Sequence, residues 1–319
     1  MKILVIGAGA REHCLAWKFQ ESKLVDQVFV SPGNAGIANV ATCLPIGTEE
    51  IKKIVAAARE HKIDFVIVGP EVPLALGLVD SLDAAGIATF GPTKAAAELE
   101  SSKGFMKDLC SQAGVPTAKY ARFRDVEDAR AYVSKQKVPI VVKADGLAAG
   151  KGVTIARTVN EAIEAVNAAM VGQVFGASGA EVVIEDFMQG EEASFFALCD
   201  GKTARFFASA QDHKAVFDGD KGPNTGGMGA YSPAPMIDEG MKERIMREII
   251  TPTVDYMKKM GRPFTGVLFA GLMMTKTGPK LIEYNARFGD PEAEAMIPRL
   301  KSDLLALLYA CTQGKLDKA

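Results

Sequence analysis

The segment Lys280-Leu281-Ile282-Glu283-Tyr284-Asn285-Ala286-Arg287 combines residue types that ordinary packing does not explain. In an extended strand side chains alternate between faces. Glu283, Asn285 and Arg287 are therefore expected on one face, and Ile282 and Tyr284 on the other. A carboxylate, an amide oxygen and a guanidinium make a poor packing surface. They suit Mg²⁺ bridging nucleotide phosphates, because Mg²⁺ takes one or two protein oxygens and keeps water and phosphate for the rest. Arg287 would then steady a transferring phosphoryl group. The plain alternative is an exposed salt-bridge ladder, worth only about 0–1 kcal/mol per pair. Asp290-Pro291-Glu292 follows directly and offers carboxylates to a substrate ammonium.

Three other stretches carry compatible chemistry. Asp145-Gly146-Leu147-Ala148-Ala149-Gly150-Lys151-Gly152 lies between two apolar runs. Its small residues let backbone N–H groups approach an anion, and Lys143 and Lys151 add charge. It is no P-loop, since no Gly-Lys-[Ser/Thr] opens a helix; read alone, it also fits a flexible hairpin. Glu185-Asp186-Phe187-Met188 ends a strand and can offer backbone groups to a purine edge, with Glu192 placed to accept from ribose hydroxyls. As an isolated string it equally fits a solvated acidic turn. Gln211-Asp212-His213-Lys214 and the glycine-dense run from Gly222 to Tyr231 supply donors for a carboxylate or a developing oxyanion. His213 reads as a structural hydrogen-bonder or as a base.

The elements that position these groups change character along the chain. Residues 3–6, 27–30, 65–68 and 88–90 are apolar strands closed by Gly/Pro loops, and helices separate them. That alternation predicts a parallel sheet with ligand loops at the strand C-termini. The first loop, Gly7-Ala8-Gly9-Ala10-Arg11-Glu12-His13, lacks the third glycine of a dinucleotide fingerprint. It fits a phosphate ester or ribose better than NAD, with Arg11 as a charged arm. Residues 98–113 read as one helix carrying Lys103, ended by Gly114-Val115-Pro116. Beyond it the strands are antiparallel in character, at 140–143, 152–156, 182–185, 193–198 and around Leu268 and Ile282. Helices are expected at 160–170 (capped by Asn160), 241–260 and 302–311, and a polar loop at 218–232.

The 319 residues predict more than one domain, and 48% hydrophobic with 24% charged residues is an ordinary globular mixture. A net charge of −2 without a dense basic run argues against a nucleic-acid partner. No apolar stretch reaches membrane-spanning length, and no signal peptide precedes the first strand. Five scattered cysteines read as free thiols in the core of a cytoplasmic protein.

In order, GAGAREH, SPGNAG, VGPEVPL, FGPT, SSKGFMKD, VVKADGLAAGKGV, IEDFMQGEEASF, QDHK, GPNTGGMGAYSP and KLIEYNARFGDPE resemble the ATP-grasp superfamily. Within it they resemble the phosphoribosylamine–glycine ligase family, over nearly the whole chain. The resemblance implies an α/β fold: a Rossmann-like, pre-ATP-grasp substrate domain over 1–101, then an ATP-grasp α+β domain over 102–319. Within the latter it implies a mobile lid lobe at 118–188 and a central lobe at 189–319 with the metal site. It implies ligation of glycine to phosphoribosylamine with ATP and Mg²⁺ or Mn²⁺, through glycyl phosphate, by a monomer or weak homodimer. QDHK and GPNTGGMGAYSP point away from relatives that activate formate or bicarbonate.

Carried over by position, Lys103 and Lys143 match phosphate-contacting lysines, and Gly146, Gly150, Lys151 and Gly152 the glycine-rich cover. Glu185, Phe187 and Met188 match the adenine hinge, and Glu192 the ribose contact. Glu283 and Asn285 match the metal ligands, with Arg287 beside the phosphoryl group. Asp212, Lys214, Gly227, Asp290 and Glu292 resemble the amine and glycine site, and Gly9, Glu12 and Glu71 the phosphoribosylamine end. The first loop departs from the family's G-N-G-G-R-E-H at Ala8 and Ala10, and Ala10 would be strained if that position needs positive φ. Family members usually continue for about another hundred residues, the size of one further small domain.

Overall fold

The protein is described from a computed structural model that covers residues 1–147, 152–172, 180–219 and 221–319. Five parallel strands open the chain: β1 (Lys2–Gly7), β2 (Gln27–Pro32), β3 (Thr42–Cys43), β4 (Phe65–Val68) and β5 (Ala88–Phe90), in the order β3-β2-β1-β4-β5. β1 shows why the apolar run reads correctly as doubly buried. Leu4 and Ile6 pack into one core and Ile3 and Val5 into another, on opposite faces of the sheet. Because β2 and β4 flank β1, the chain leaves it in opposite directions. Strand order therefore reverses at β1, and sheets of this kind bind ligands beyond the C-terminal ends of the strands at such a point.

Two antiparallel sheets follow. β6 (Tyr120–Phe123), β7 (Ile140–Ala144), β8 (Val153–Ala156) and β9 (Val182–Asp186) form a sheet ordered β6-β9-β7-β8. β10 (Glu191–Asp200), β11 (Ala204–Phe217), β12 (Lys221–Tyr231), β13 (Thr265–Thr275) and β14 (Gly278–Asn285) form the other, ordered β12-β11-β10-β13-β14. The larger sheet shares both cores with the N-terminal sheet: Phe195, Leu268 and Tyr284 join the cluster of Leu4, while Phe196, Val267 and Phe269 join that of Ile3. The smaller sheet has its own core, built from Ala129, Val133, Ile140, Val142, Val166, Val182 and neighbours. The core of the smaller sheet is thus separate from the two cores that the other sheets share.

Several expectations need correction. The helix expected over 98–113 is two helices, Lys94–Ser101 and Lys103–Ala113, because Ser102 is extended and its hydroxyl caps the second by accepting from Phe105 N at 3.0 Å. The loop expected over 218–232 is largely β12, paired antiparallel with β11 through an irregular register. β11 and β6 were not anticipated. Thr158, not Asn160, caps the helix Val159–Met170. The helix expected over 241–260 holds a π turn, Met246–Ile250, since Pro252 has no N–H to give back to the preceding turn. Neither Ala8 nor Ala10 has positive φ, and Ala10 begins the helix Ala10–Phe19 without strain.

Candidate functional site

β14 carries the centre of the site, with one correction to its alternation. Across β13, Gly271 pairs with Glu283 but Leu272 pairs with Leu281, so Ile282 is an extra residue in a bulge. Leu281 and Tyr284 therefore face the core, while Ile282, Glu283 and Asn285 line the cleft with Arg287 just beyond the strand. Burial alone would raise the Glu283 carboxyl. Lys214, Lys143, Lys103 and Arg287 surround it and hold it below the ordinary range instead.

These groups line a cleft of about 410 Å³ between the small sheet and the large one. The break at Ser102 aims Lys103 into it. Asp145 accepts from Gly104 N at 3.0 Å and from Ser102 Oγ at 3.1 Å, and Lys103 Nζ donates to Gly146 O at 2.8 Å. Burial, opposed by Glu283, lowers the Lys103 ammonium. Lys143, from β7, donates to Ile282 O at 3.3 Å and pairs with Glu185 at 2.9 Å. Gly146, which has φ 84°, and Gly152 line the same wall. Gly150 and Lys151 lie outside the described residues. Beyond Glu185, the turn Asp186-Phe187-Met188 and Glu192 close the far end, with Val153 and Ile155 supplying an apolar surface.

A second cluster sits beside Glu283. Asp212 and Lys214 alternate along β11 and face the cleft, whereas His213 is exposed and leans on the Tyr231 ring, so it takes no part. Lys214 Nζ stands 3.8 Å from Asp212 Oδ2, and Asp212 Oδ1 is buried without a hydrogen-bond partner. Burial and the neighbouring Glu292 push the Asp212 carboxyl up to about 6. Burial would lower the Lys214 ammonium, but Glu283, Glu192 and Asp212 outweigh it and raise it. Glu292 is itself fixed, accepting from Ser194 Oγ at 2.8 Å. Gly227 does not line the cleft. It backs onto Pro291, 2.5 Å from where a Cβ would stand, and so lets β12 approach the Asp290 turn.

Arg287 is clamped. It reaches Glu71 at 3.2 Å, Glu100 at 3.0 Å and Asn285 Oδ1 at 3.2 Å. Glu71 and Asp290 line the cleft, but Gly9 and Glu12 do not. Glu12 is 2% exposed; its oxygens accept from Gly9 N at 2.7 Å and Arg11 Nε at 2.6 Å. Arg11 is not a free charged arm, since it is buried and also donates to Phe288 O at 3.1 Å, tying the first loop to the loop after β14. Glu100, Lys107 and Ser194 were not anticipated at all, although each fixes a residue that lines the cleft.

The donor set fits a hard cation. Glu283 offers an anionic oxygen and Asn285 an amide oxygen on one strand, and among the described residues no cluster of three or more His, Cys, Asp or Glu side chains forms a closed protein cage. That leaves coordination positions for phosphate and water, as Mg²⁺ prefers. Four cations within reach of one carboxylate prepare the cleft for a polyanion.

Comparison with known proteins agrees with this geometry. The family described as phosphoribosylglycinamide synthetase, N domain, matches residues 1–100, and its ATP-grasp (A) domain matches residues 101–293. The phosphoribosylamine–glycine ligase of Agrobacterium fabrum is 59% identical over 318 residues, covering 100% of this chain and 75% of that protein. That of Rhizobium meliloti is 59% identical over 317 residues, covering 99% and 75%. The crystal structure of the Thermotoga maritima phosphoribosylamine–glycine ligase superposes with a TM-score of 0.85 at 30% identity, over 98% of this chain and 76% of that one. The biotin carboxylase domain of Hydrogenobacter thermophilus 2-oxoglutarate carboxylase, solved with MgADP and bicarbonate, shares the fold at a TM-score of 0.76 and 18% identity, over 98% and 69%. The chain belongs to the phosphoribosylglycinamide synthetase, or phosphoribosylamine–glycine ligase, family of ATP-grasp enzymes.

Proposed function

We propose that this chain joins glycine to phosphoribosylamine in purine biosynthesis, spending ATP and passing through glycyl phosphate. The observation that carries the reading is the convergence in one cleft of four cations, the Glu283–Asn285 pair and the unpaired Asp212 carboxylate oxygen. A glycine carboxylate is a poor electrophile because its leaving group would be oxide. Attack of a glycine carboxylate oxygen on the γ-phosphorus, with ADP leaving, makes a mixed anhydride; attack of the ribosylamine nitrogen on its carbonyl carbon then releases phosphate.

Catalysis here is positioning and charge neutralisation, so no nucleophilic side chain is required. Lys103 and Lys143 meet the phosphates side by side, and Lys214 neutralises charge on the transferring group. Phe187, Met188 and the apolar β8 face receive the base, and Glu192 the ribose. Glu283 and Asn285 would hold Mg²⁺ or Mn²⁺, which supplies charge neutralisation to the phosphates when bound. Arg287 stands beside them, kept in place by Glu71 and Glu100. Asp212 and Glu292 offer negative charge to the glycine ammonium. Asp290, with Gly9 and the Glu12-supported first loop, forms the phosphoribosylamine end. The small sheet has a core of its own, which supports closure of residues 118–188 as a lid over the nucleotide.

All five cysteines are free, as in a reducing cytoplasm. No helix among the described residues is long and apolar enough to cross a membrane. The test is ADP release from MgATP with phosphoribosylamine generated in place. Release requiring both glycine and the amine is expected. Release indifferent to glycine, or supported equally by another carboxylate, overturns the assignment.

A further inference from the structure

Among the described residues, Lys107 is the one lysine with no exposed side-chain surface whose role the proposed reaction leaves unexplained. It lies one helical turn after Lys103 and does not line the cleft. Its ammonium pairs with Glu185 Oε2 at 2.9 Å, while Lys143 pairs with the other oxygen, Oε1, at 2.9 Å. Lys107 Nζ also donates to Thr117 Oγ1 at 2.7 Å, and that hydroxyl donates to Leu281 O at 2.7 Å. Its remaining side lies 5.8 Å from the Tyr120 ring centroid. Lys107, Glu185 and Lys143 thus form a buried row running from the helix Lys103–Ala113, through β9, to β7 at the cleft wall.

Three buried charges are a costly way to join a helix to a sheet, and an apolar residue at 107 would pack there with less desolvation. What an apolar residue cannot supply is charge. Without Lys107, Glu185 would neutralise Lys143, and the row would carry no net charge. With it, the row carries one net positive charge, and Lys143 stays available to the ligand.

We propose that Lys107 is a positioning residue for the nucleotide: by occupying one oxygen of Glu185 it keeps Lys143 aimed into the cleft and leaves the row one positive charge toward the phosphates. The inference rests on the nucleotide reading of the cleft given above. It makes a sign-specific prediction, because removing Lys107 should harm the protein while Glu185 is ionised and help it once Glu185 is neutral.

MgATP is titrated calorimetrically into the wild type, K107M, E185Q and K107M/E185Q, with thermal midpoints measured alongside and glycine KM as a control. K107M is expected to weaken ATP binding on the order of tenfold, as for loss of a member of a charge network, with glycine KM unchanged. The double variant, which restores one net positive charge, is expected to bind ATP at least about threefold more tightly than K107M, a recovery that does not require Glu185 to be silent toward the base. A folded K107M that binds ATP like the wild type overturns the proposal, as does a double variant no better than K107M. If K107M alone does not fold, the E185Q background decides. There K107M should raise the thermal midpoint by removing an unneutralised buried ammonium, and a fall overturns the idea. Absence of ATP binding by the wild type would instead sink the nucleotide reading itself.

Discussion

Gly69→Ala tests whether Glu12 is a wedge that shapes the first loop or a free ligand for substrate. Gly69 follows β4, and the space its side chain would fill is occupied by Glu12. A Cβ there would overlap Glu12 Oε1 and stand 2.7 Å from Ile6 O. Ile6 O cannot retreat, because it accepts from Gly69 N at 3.0 Å within the sheet. Gly69 has no positive φ, so alanine brings no backbone strain and the clash is the whole effect. Glu12 must swing out and surrender its bonds to Gly9 N and Arg11 Nε. Each is charge-assisted and worth about 1.5–3 kcal/mol, and overpacking adds about 1–3 kcal/mol. Allowing for relaxation, the loss is roughly 3–6 kcal/mol, a fall in thermal midpoint on the order of 10 °C. Scanning calorimetry of Gly69→Ala, Glu12→Ala and the double variant measures it. With Glu12 already alanine only the contact with Ile6 O remains, so the second substitution should cost clearly less than it does in the wild type. A Gly69→Ala midpoint within about 2 °C of the wild type, or an equal penalty in both backgrounds, would refute the wedge.

Glu283→Gln keeps the side-chain volume but removes the anionic oxygen; MgATP-dependent ADP release should fall at least about a hundredfold with the circular dichroism spectrum unchanged, and near-normal release would remove the metal assignment. The Asp212 carboxyl, raised to about 6 by burial and Glu292, should lose its hold on an ammonium as it protonates, so glycine KM should climb as pH falls below about 6 and be flat in Asp212→Asn. Because that folded-state value lies above the ordinary one, the stabilising protonation is complete below about pH 4 and lost as pH rises through about 6. Asp212→Asn should therefore melt higher than the wild type at pH 7 and no higher at pH 4, and the reverse order would contradict the burial argument. MgATP should increase amide protection across 118–188, whereas equal protection with and without nucleotide would deny that this lobe closes.

The readable parts of this protein are those whose cause lies within a few residues. The run Ile3-Leu4-Val5-Ile6 shows its burial on both faces, and the Gly/Pro loops after β1, β2 and β4 show where the chain must turn. Glu283, Asn285 and Arg287 were visible because period-two spacing brings unlike polar groups to one surface. What stayed hidden depends on partners far away in the chain. The break at Ser102 is held by Asp145, and the bulge that turns Ile282 into the cleft is defined only against Gly271 and Leu272 on the neighbouring strand. Lys107 and Glu100 sit on helices, and nothing in their spacing singled them out. For Lys107 one local signal was present, its place among Met106, Leu109 and Cys110, all buried, where a solvated lysine does not belong. The cleft is thus written at two ranges: short motifs supply the groups that meet the ligand, and isolated charges remote in sequence decide where those groups point. A search for groups that face the ligand finds Lys143 and Glu185 but passes over Lys107, within SSKGFMKD, which sets the charge they present together.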